Sequence, residues 1–380
     1  MANERPSAFA YVKKASISRR PGAGGIIPVS RAAKYGYSNA RVSAMKSLLL
    51  KKEFLSELAR VRSVDAVIEQ LERTYYKDDL VKLSIHYHGS ELVQIASAFH
   101  FAEVVNKLER ITPDSDRKAF NVMLTKWDIV NAKTILNARR IGRKYEDVAP
   151  FLIPIGSFSE QEVKGLLEGG GESVFLKFAK THLGKRITSS RVVSSTELEK
   201  MFINLGAEEA TRIEAVLDAF YYSLYSTTER LSSPELAPIA RVFRKEIDLR
   251  NLSIIARLKH HGITDEKEIS KYFIKGGVRK FPAFAPVLAA KGDEETLKAA
   301  SKMFGLKSVP QTLSDFEIML NGTLAQARLD AFYRSVLSVG TILGFLFLKE
   351  EEINNIRKIA VGKEFGLPDE KITGTLVFAG

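Results

Sequence analysis

Cysteine is absent from all 380 residues of this sequence. Its absence excludes disulfide bonds, thiolate nucleophiles and Cys-ligated metal centres, and it fits a reducing cytoplasm. Long apolar runs are also missing, since the longest extends only from Val336 to Leu348 and includes two glycines. A membrane-spanning helix needs about 20 apolar residues, so this run predicts a buried core helix instead. We expect no signal peptide, because the N-terminal segment lacks an apolar stretch and contains three prolines.

Motifs that would indicate catalysis or ligand binding are equally scarce. The sequence has no Walker-type phosphate loop and no Gly-x-Ser-x-Gly elbow, and the glycines of EGGGES (168–173) follow a helix-like segment and suggest a flexible joint. The histidine pairs His86/His88 and His260/His261 have no third ligand at zinc-site spacing. We therefore expect no catalytic residue, no cofactor and no metal site.

Basic residues exceed acidic ones by 57 to 45, which gives a net charge of +12 and favours an anionic partner or surface. About half of this excess lies in residues 1–34, a Gly, Pro and Ser-rich stretch with seven basic residues and one acidic residue. The stretch is interpreted as a flexible extension that aids solubility. The alternative is an arm that touches acidic lipid headgroups or nucleic acid.

Apolar residues elsewhere recur at helical spacing. Leu198, Met201 and Phe202 form one such face, and Val67, Ile68 and Leu71 form another. Since no alternating stretch competes with these patterns as a strand, the sequence predicts an all-α fold.

One pattern occurs three times along the chain. It consists of an acidic residue, Asn three positions later, Ile four positions after the Asn, and Gly eleven positions after the Asn. We call each copy a box. The boxes are Asp128, Asn131, Ile135, Gly142; Asp248, Asn251, Ile255, Gly262; and Glu352, Asn355, Ile359, Gly366. Internal repetition of this kind indicates structural units built on one plan.

On a helix, the acid, Asn and Ile of a box lie within an arc of about 60°. The Asn is thus expected on the buried side, hydrogen-bonded to backbone where a neighbouring helix bends or ends. The acid is expected in the first helical turn, Trp127 is expected to anchor a helix start, and the Gly is expected to terminate the helix. A catalytic acid–amide pair is disfavoured because an enzyme needs one site, not three copies; a partner contact is the remaining alternative.

A second motif precedes each box: SAFHFA from Ser97, DAFYYS from Asp218 and DAFYRS from Asp330. Helix-start signals follow each box glycine, including a capping box at Ser159 and an N-cap at Thr264. With glycine pairs as joints, the predicted organisation is an extension (1–34) and three helical repeat units (37–171, 172–277 and 278–380).

Two stretches, YGYSNARVSAMKSLLL from Tyr35 and KWDIVNAKTILNARRIG from Lys126, resemble the C subunit of archaeal and bacterial V/A-type ATP synthases, in the family that includes the d subunit of the vacuolar ATPase. The resemblance covers about residues 35–380. It implies a funnel-shaped, pseudo-threefold arrangement of three similar helical units. It also implies a non-catalytic central-stalk component that links the shaft, made of the D and F subunits, to the membrane proteolipid ring.

The same resemblance implies torque transmission between ATP turnover and proton or sodium transport, at the cytoplasmic face of the cell membrane with peripheral contact. The alternative is a basic helical-repeat protein that binds nucleic acid, which would place exposed aromatics and clustered cations along one face. Here the aromatics fall mainly on apolar helical stripes, so no nucleic-acid partner is expected. A hydrolase is the interpretation that the residues support least.

Overall fold

A computed structural model describes residues 31–190, 192–226, 236–306 and 308–378. Within these ranges the regular structure is helical and no β-strand occurs, which confirms the predicted all-α class. The seven longer helices are α1 (Arg31–Ser47), α5 (Gly89–Ile111), α6 (Arg117–Arg140), α12 (Ala207–Ser226), α13 (Ala237–His260), α17 (Leu313–Arg334) and α18 (Val339–Glu364). The shorter helices are α2 (Lys52–Leu58), α3 (Val64–Leu71), α4 (Lys77–Leu83), α7 (Tyr145–Val148), α8 (Glu160–Leu167), α9 (Gly171–Lys180), α10 (His182–Thr188), α11 (Ser195–Ile203), α14 (Glu266–Lys271), α15 (Ala285–Ala289), α16 (Gly292–Phe304) and α19 (Asp369–Thr375). In the described ranges, 3₁₀ turns lie at Asp114–Asp116, Ala149–Phe151 and Phe281–Phe284.

Most of the predicted N-terminal extension, residues 1–30, lies outside the described residues. Its last four residues form the first turn of α1, where the Lys34 ammonium lies 2.9 Å from the Asp116 carboxylate. Helix α1 therefore extends across the predicted boundary at residue 34.

Local signals set several helix starts. Ser159 and Glu162 form the predicted capping box at α8, in which each side chain pairs with the other residue's backbone N–H. At α14 the prediction was off by one residue, because Asp265 and not Thr264 is the N-cap. The Asp265 carboxylate accepts hydrogen bonds from two backbone N–H groups there, whereas a hydroxyl has less charge to offer.

The boxes lie deeper in their helices than the sequence suggested. α6 begins at Arg117, so Trp127 and Asp128 occupy the middle of the helix and not its first turn. The same correction applies to Asp248 in α13 and Glu352 in α18. The physical reason is that the residues before each box continue the helix, so the box acids are not available to cap an N-terminus. Trp127 instead packs edge-on against Phe101 of α5, with 5.2 Å between the ring centroids.

Contacts between the long helices form a closed cycle, in which α12 packs on α13, α17 packs on α18, and α5 meets α6 through the Phe101–Trp127 ring pair. The box helices are α6, α13 and α18, and each packs on a helix that carries the second motif of another unit. Helix α6 packs on α12, α13 packs on α17, and α18 packs on α5. The last of these contacts joins the end of the chain to its beginning. Groups of short helices pack beside the box helices, with α8 on α6, α15 and α16 on α13, and α2, α3 and α19 on α18.

Two hydrophobic cores result from this packing. The larger one extends over most of the long helices, and the smaller one joins residues 55–96 to α18 and α19 through side chains such as Ile356, Ile359 and Ile372. Residues near the two ends of the chain thus share one core.

The apolar run 336–348 packs in the larger core as predicted: Leu337 lies partly buried against it, and the buried apolar residues begin at Val339, the first residue of α18. Val336 is exposed. Gly344 lies against the backbone of Phe332 in α17, where any Cβ would overlap that residue. This glycine allows α17 and α18 to approach closely. No helix of the described residues is long and apolar enough to span a bilayer.

Candidate functional site

The three box asparagines make the same pair of hydrogen bonds. The partner in each case is one residue of the chain segment that follows the box helix and packs back against it, which we call the returning segment. The side-chain amide donates to the carbonyl of this residue, and the amide oxygen accepts its N–H. The pairs and their two distances are Asn131 with Ile153 (2.8 and 2.9 Å), Asn251 with Ile274 (2.9 and 2.7 Å), and Asn355 with Val377 (2.7 and 3.0 Å). Each partner follows the end of a short helix by two or three residues. We call these contacts the asparagine clamps.

All three clamps are buried. The asparagines expose at most 2% of their surface, and the box isoleucines Ile135, Ile255 and Ile359 at most 1%. A returning segment in such a place has backbone groups that cannot reach water, so the amide satisfies one donor and one acceptor that would otherwise be unpaired.

The first two box acids bind the returning segment a few residues after the partner of the asparagine. Asp128 accepts the N–H of Ser157 and, at 3.1 Å, its hydroxyl. Asp248 accepts the N–H of Arg279 at 3.1 Å, and the guanidinium of Arg279 lies 3.4 Å from the other carboxylate oxygen. Burial raises the pKa of Asp128 and of Asp248 above the ordinary value, and the hydrogen bonds from Ser157 and Arg279 oppose that shift.

Two glycines that sequence reasoning missed complete this arrangement. A Cβ on Gly156 would overlap the Asp128 carboxylate, and a Cβ on Gly277 would overlap that of Asp248. The signal was present in the spacing, because these glycines follow their acids by 28 and 29 positions. Gly380 follows Glu352 by 28 positions but lies outside the described residues.

Glu352, the third box acid, has different partners. Its carboxylate accepts the N–H of Leu50 at 2.5 Å and the hydroxyls of Tyr75 (2.7 Å) and Tyr76 (2.8 Å), and it pairs with the Lys349 ammonium at 2.6 Å. Burial lowers the pKa of Lys349, and the charge of Glu352 opposes this shift. We call this group the Glu352 cluster. It joins α18 to the segment from Leu50 to Tyr76, which is far away in sequence.

The positions two residues before the box acids also meet. They are Lys126, Glu246 and Glu350. Lys126 lies 2.7 Å from Glu350, and Arg328 of α17 contacts Glu246 at 3.3 Å and Glu350 at 3.8 Å. Burial acts to raise the pKa of Glu246, but the charges of Arg328 and Lys126 outweigh it and lower the pKa to about 2. This buried ionic network links α6, α13, α17 and α18, and sequence reasoning did not predict it.

The box glycines end their helices in the same way. Gly142, Gly262 and Gly366 have φ values of +70°, +84° and +63°. In each, the glycine N–H bonds to the carbonyl three residues back, and the next N–H bonds to the carbonyl five residues before it. This is the Schellman motif, which favours glycine because other residues adopt positive φ at a cost.

The N-terminal motif is also held in place. Tyr35 is buried and its hydroxyl donates to Asp116 at 2.9 Å, while the Ser38 hydroxyl donates to the carbonyl of Ile111 at 2.5 Å. His260 contacts Asp293 at 2.7 Å, and no group of three or more His, Asp or Glu side chains in the described ranges could hold a metal ion. The repeated geometry provides hydrogen bonds and ion pairs between segments.

A family model described as the ATP synthase (C/AC39) subunit matches residues 38–374. The chain belongs to this family. The match confirms the resemblance carried by the motifs at Tyr35 and Lys126, and it covers all three boxes.

Relatives within the family are similar over almost their full length. The chain is 27% identical to the A-type ATP synthase C subunit of Methanosarcina acetivorans over 353 residues, which cover 90% of this chain and 92% of the relative. It is 28% identical to the protein of the same name from Methanosarcina barkeri, with 90% and 92% covered, and 24% identical to that of Methanocaldococcus jannaschii, with 91% and 86% covered.

Proposed function

We propose that this protein is a non-catalytic central-stalk component of a V/A-type ATP synthase. In this role it links the shaft formed by the D and F subunits to the membrane proteolipid ring, and it transmits torque between ATP turnover and proton or sodium transport. It would act at the cytoplasmic face of the membrane, as a peripheral component without an active site of its own. The relatives, all named as the C subunit of an A-type ATP synthase, support this assignment.

The observation that carries the proposal is the closed cycle of helix contacts, α6 on α12, α13 on α17 and α18 on α5. A part that transmits torque must resist deformation, and a cycle without a free end is stiffer than an open stack of the same helices. The asparagine clamps and the buried ionic network add contacts between segments in the same region.

We further propose that the three repeat units (37–171, 172–277 and 278–380) surround a pseudo-threefold axis and form a funnel. Support comes from the three equivalent clamps and from Lys126, Glu246 and Glu350, which hold equivalent positions and meet in one network. The box residues then have a structural role in each unit. Helices α2–α4 would complete the third unit, since they share a core with α18 and α19.

The test compares the full chain with a form that lacks residues 1–30. The deletion stops there because Lys34 pairs with Asp116. Both forms, tagged and purified from native membranes, are expected to retain the D and F subunits and the proteolipid ring. The deletion removes five basic residues and one acidic residue, a loss of four from the net charge of +12.

Salt-dependent binding to random RNA and DNA is measured for both forms alongside. If the protein were instead a nucleic-acid-binding protein, the deletion would weaken binding and reduce the salt slope. Absence of every stalk component, together with tight and sequence-selective nucleic-acid binding, would refute the rotor role.

A further inference from the structure

A cavity of about 500 Å³ lies between α13 and α17, beside the second box. Its volume falls within the range of roughly 300–1,000 Å³ that is usual for small-molecule sites. Its walls come from α13, α17, the segment after Gly277 and the end of α16. It is open to solvent on one side.

Cations dominate the polar lining. Four lining side chains are basic and two are acidic, so the cavity has two positive charges in excess. The six are Arg241, Lys245, Arg279, Arg334, Asp248 and Asp330. Arg279 is already engaged, because its guanidinium contacts Asp248 and the carbonyl of Met303.

The other three cations have no ion-pair partner among the described residues. Arg241 and Lys245 are four residues apart on α13 and thus lie on the same helix face. Arg334 is the last residue of α17. Three cations from two helices therefore border one cavity in which Asp330 is the acidic lining residue that Arg279 does not engage.

The remaining walls are apolar. Val242, Ala327 and Ala331 line the cavity, and Phe304 lies beneath the guanidinium of Arg279, 4.5 Å from ring centroid to Cζ.

We propose that this cavity binds a phosphate monoester that carries an apolar group. A phosphate monoester has between one and two negative charges near neutral pH, which matches the excess of two positive charges. Arginine pairs with phosphate through two parallel hydrogen bonds, and the apolar group would cover Val242 and Phe304. The same chemistry exists in a phosphatidic acid headgroup and in a soluble phosphate ester. The inference does not depend on the proposed rotor role.

The test uses calorimetry on the full chain with three soluble probes: dihexanoyl phosphatidic acid, glycerol 3-phosphate and inorganic phosphate. The first is expected to bind with one-to-one stoichiometry, and inorganic phosphate at least about tenfold more weakly because it leaves the apolar wall uncovered. Arg241→Glu is expected to weaken binding of the first probe by at least about tenfold.

Arg244→Glu is the matched control, because Arg244 is exposed on the same helix and does not line the cavity. It is expected to change affinity less than about twofold, since a charge outside the cavity acts on the ligand only through salt-screened solvent. Ala327→Phe, which fills the cavity, is expected to abolish binding; an unchanged thermal melt shows that the variant is folded.

Flotation with vesicles that contain phosphatidic acid, compared with phosphatidylcholine alone, distinguishes the source of the ligand. Loss of flotation in Arg241→Glu but not in Arg244→Glu assigns a lipid headgroup. Binding of dihexanoyl phosphatidic acid in calorimetry without flotation of the protein assigns a soluble ligand. Equal loss in both variants, or no saturable binding of any probe, would overturn the proposal.

Discussion

At the scale of single residues, the asparagine side chain binds a backbone segment that is in neither a helix nor a strand. This segment therefore lacks the hydrogen bonds of regular secondary structure. Each box asparagine pairs with the N–H and the carbonyl of one residue, and both groups lie in the core. Asparagine is suited to this because its side chain carries one acceptor and two donors in the same plane. Leucine would fill the space but satisfy neither backbone group.

Asn251→Leu is therefore expected to destabilise the protein by about 1–3 kcal/mol, since two buried backbone groups of Ile274 lose their partner. Denaturant unfolding gives the value. Asn321→Leu is the control, because Asn321 is exposed on α17 and is expected to change stability by less than about 0.5 kcal/mol. Equal unfolding midpoints for Asn251→Leu and the parent would contradict a structural role for the amide.

The second feature at this scale is the glycine that lies against a box acid in the folded chain. Gly277→Ala is expected to destabilise by about 1–3 kcal/mol, because the new methyl group would overlap the Asp248 carboxylate. Gly322→Ala is expected to have the opposite sign, with a gain of about 0.5–1 kcal/mol, since Gly322 lies inside α17 with open space around it.

A double mutant with Asp248→Ala tests the overlap directly. If the carboxylate causes the loss, Gly277→Ala costs much less in the Asp248→Ala background than alone. Identical costs in both backgrounds would show that the strain lies elsewhere.

At the scale of helices, the contacts between neighbouring units rely on charge as well as on apolar packing. Glu246 of α13 is buried against Arg328 of α17, and the pKa of Glu246 is lowered to about 2 from an ordinary value of 4.5. A carboxyl group whose pKa is lowered by folding stabilises the fold at any pH above its pKa in the unfolded state. This contribution disappears as the pH falls through its pKa in the folded state.

The parent is accordingly expected to lose about 3 kcal/mol through this group between pH 5 and pH 2. Glu246→Gln is less stable than the parent at pH 7, and the difference narrows as the pH falls across this range. Urea unfolding at a series of pH values measures it. A difference that stays constant from pH 7 to pH 2 would show that the charge of Glu246 is not what Arg328 requires.

At the scale of the whole molecule, the Glu352 cluster joins two parts of the chain that are almost 300 residues apart in sequence. Tyr76 is buried and donates to Glu352 at 2.8 Å, and Lys349 lies 3.1 Å from the same hydroxyl. The cluster and the smaller core hold helices α2–α4 against α5 and α18.

Tyr76→Phe is expected to destabilise by about 1–3 kcal/mol, because the buried carboxylate loses a donor. Hydrogen exchange followed by mass spectrometry should show faster exchange in residues 52–83 and little change in α12 and α13. Tyr37→Phe, at an exposed tyrosine of α1, is the control and should leave exchange unaltered. Uniform acceleration along the chain would mean that α2–α4 do not open separately.

Sequence reasoning reached the elements whose cause is local. Apolar spacing indicated the helices, glycine at a fixed distance from asparagine indicated the helix ends at Gly142, Gly262 and Gly366, and the repetition indicated three related segments. The predicted helix starts were less accurate, because no residue pattern before each box marks where the helix begins. Asp128 was thus placed in a first turn although the helix begins at Arg117.

What the sequence by itself determined is the helical class, the family and the buried face of each box, since these follow from periodicity and from motifs within a few turns of chain. Only the tertiary structure decided the partners: Ile274 for Asn251, Arg328 for Glu246, and Leu50 with Tyr75 and Tyr76 for Glu352. Such contacts join residues 23 to 302 positions apart. They depend on how whole helices pack, which the short motifs of the sequence do not specify.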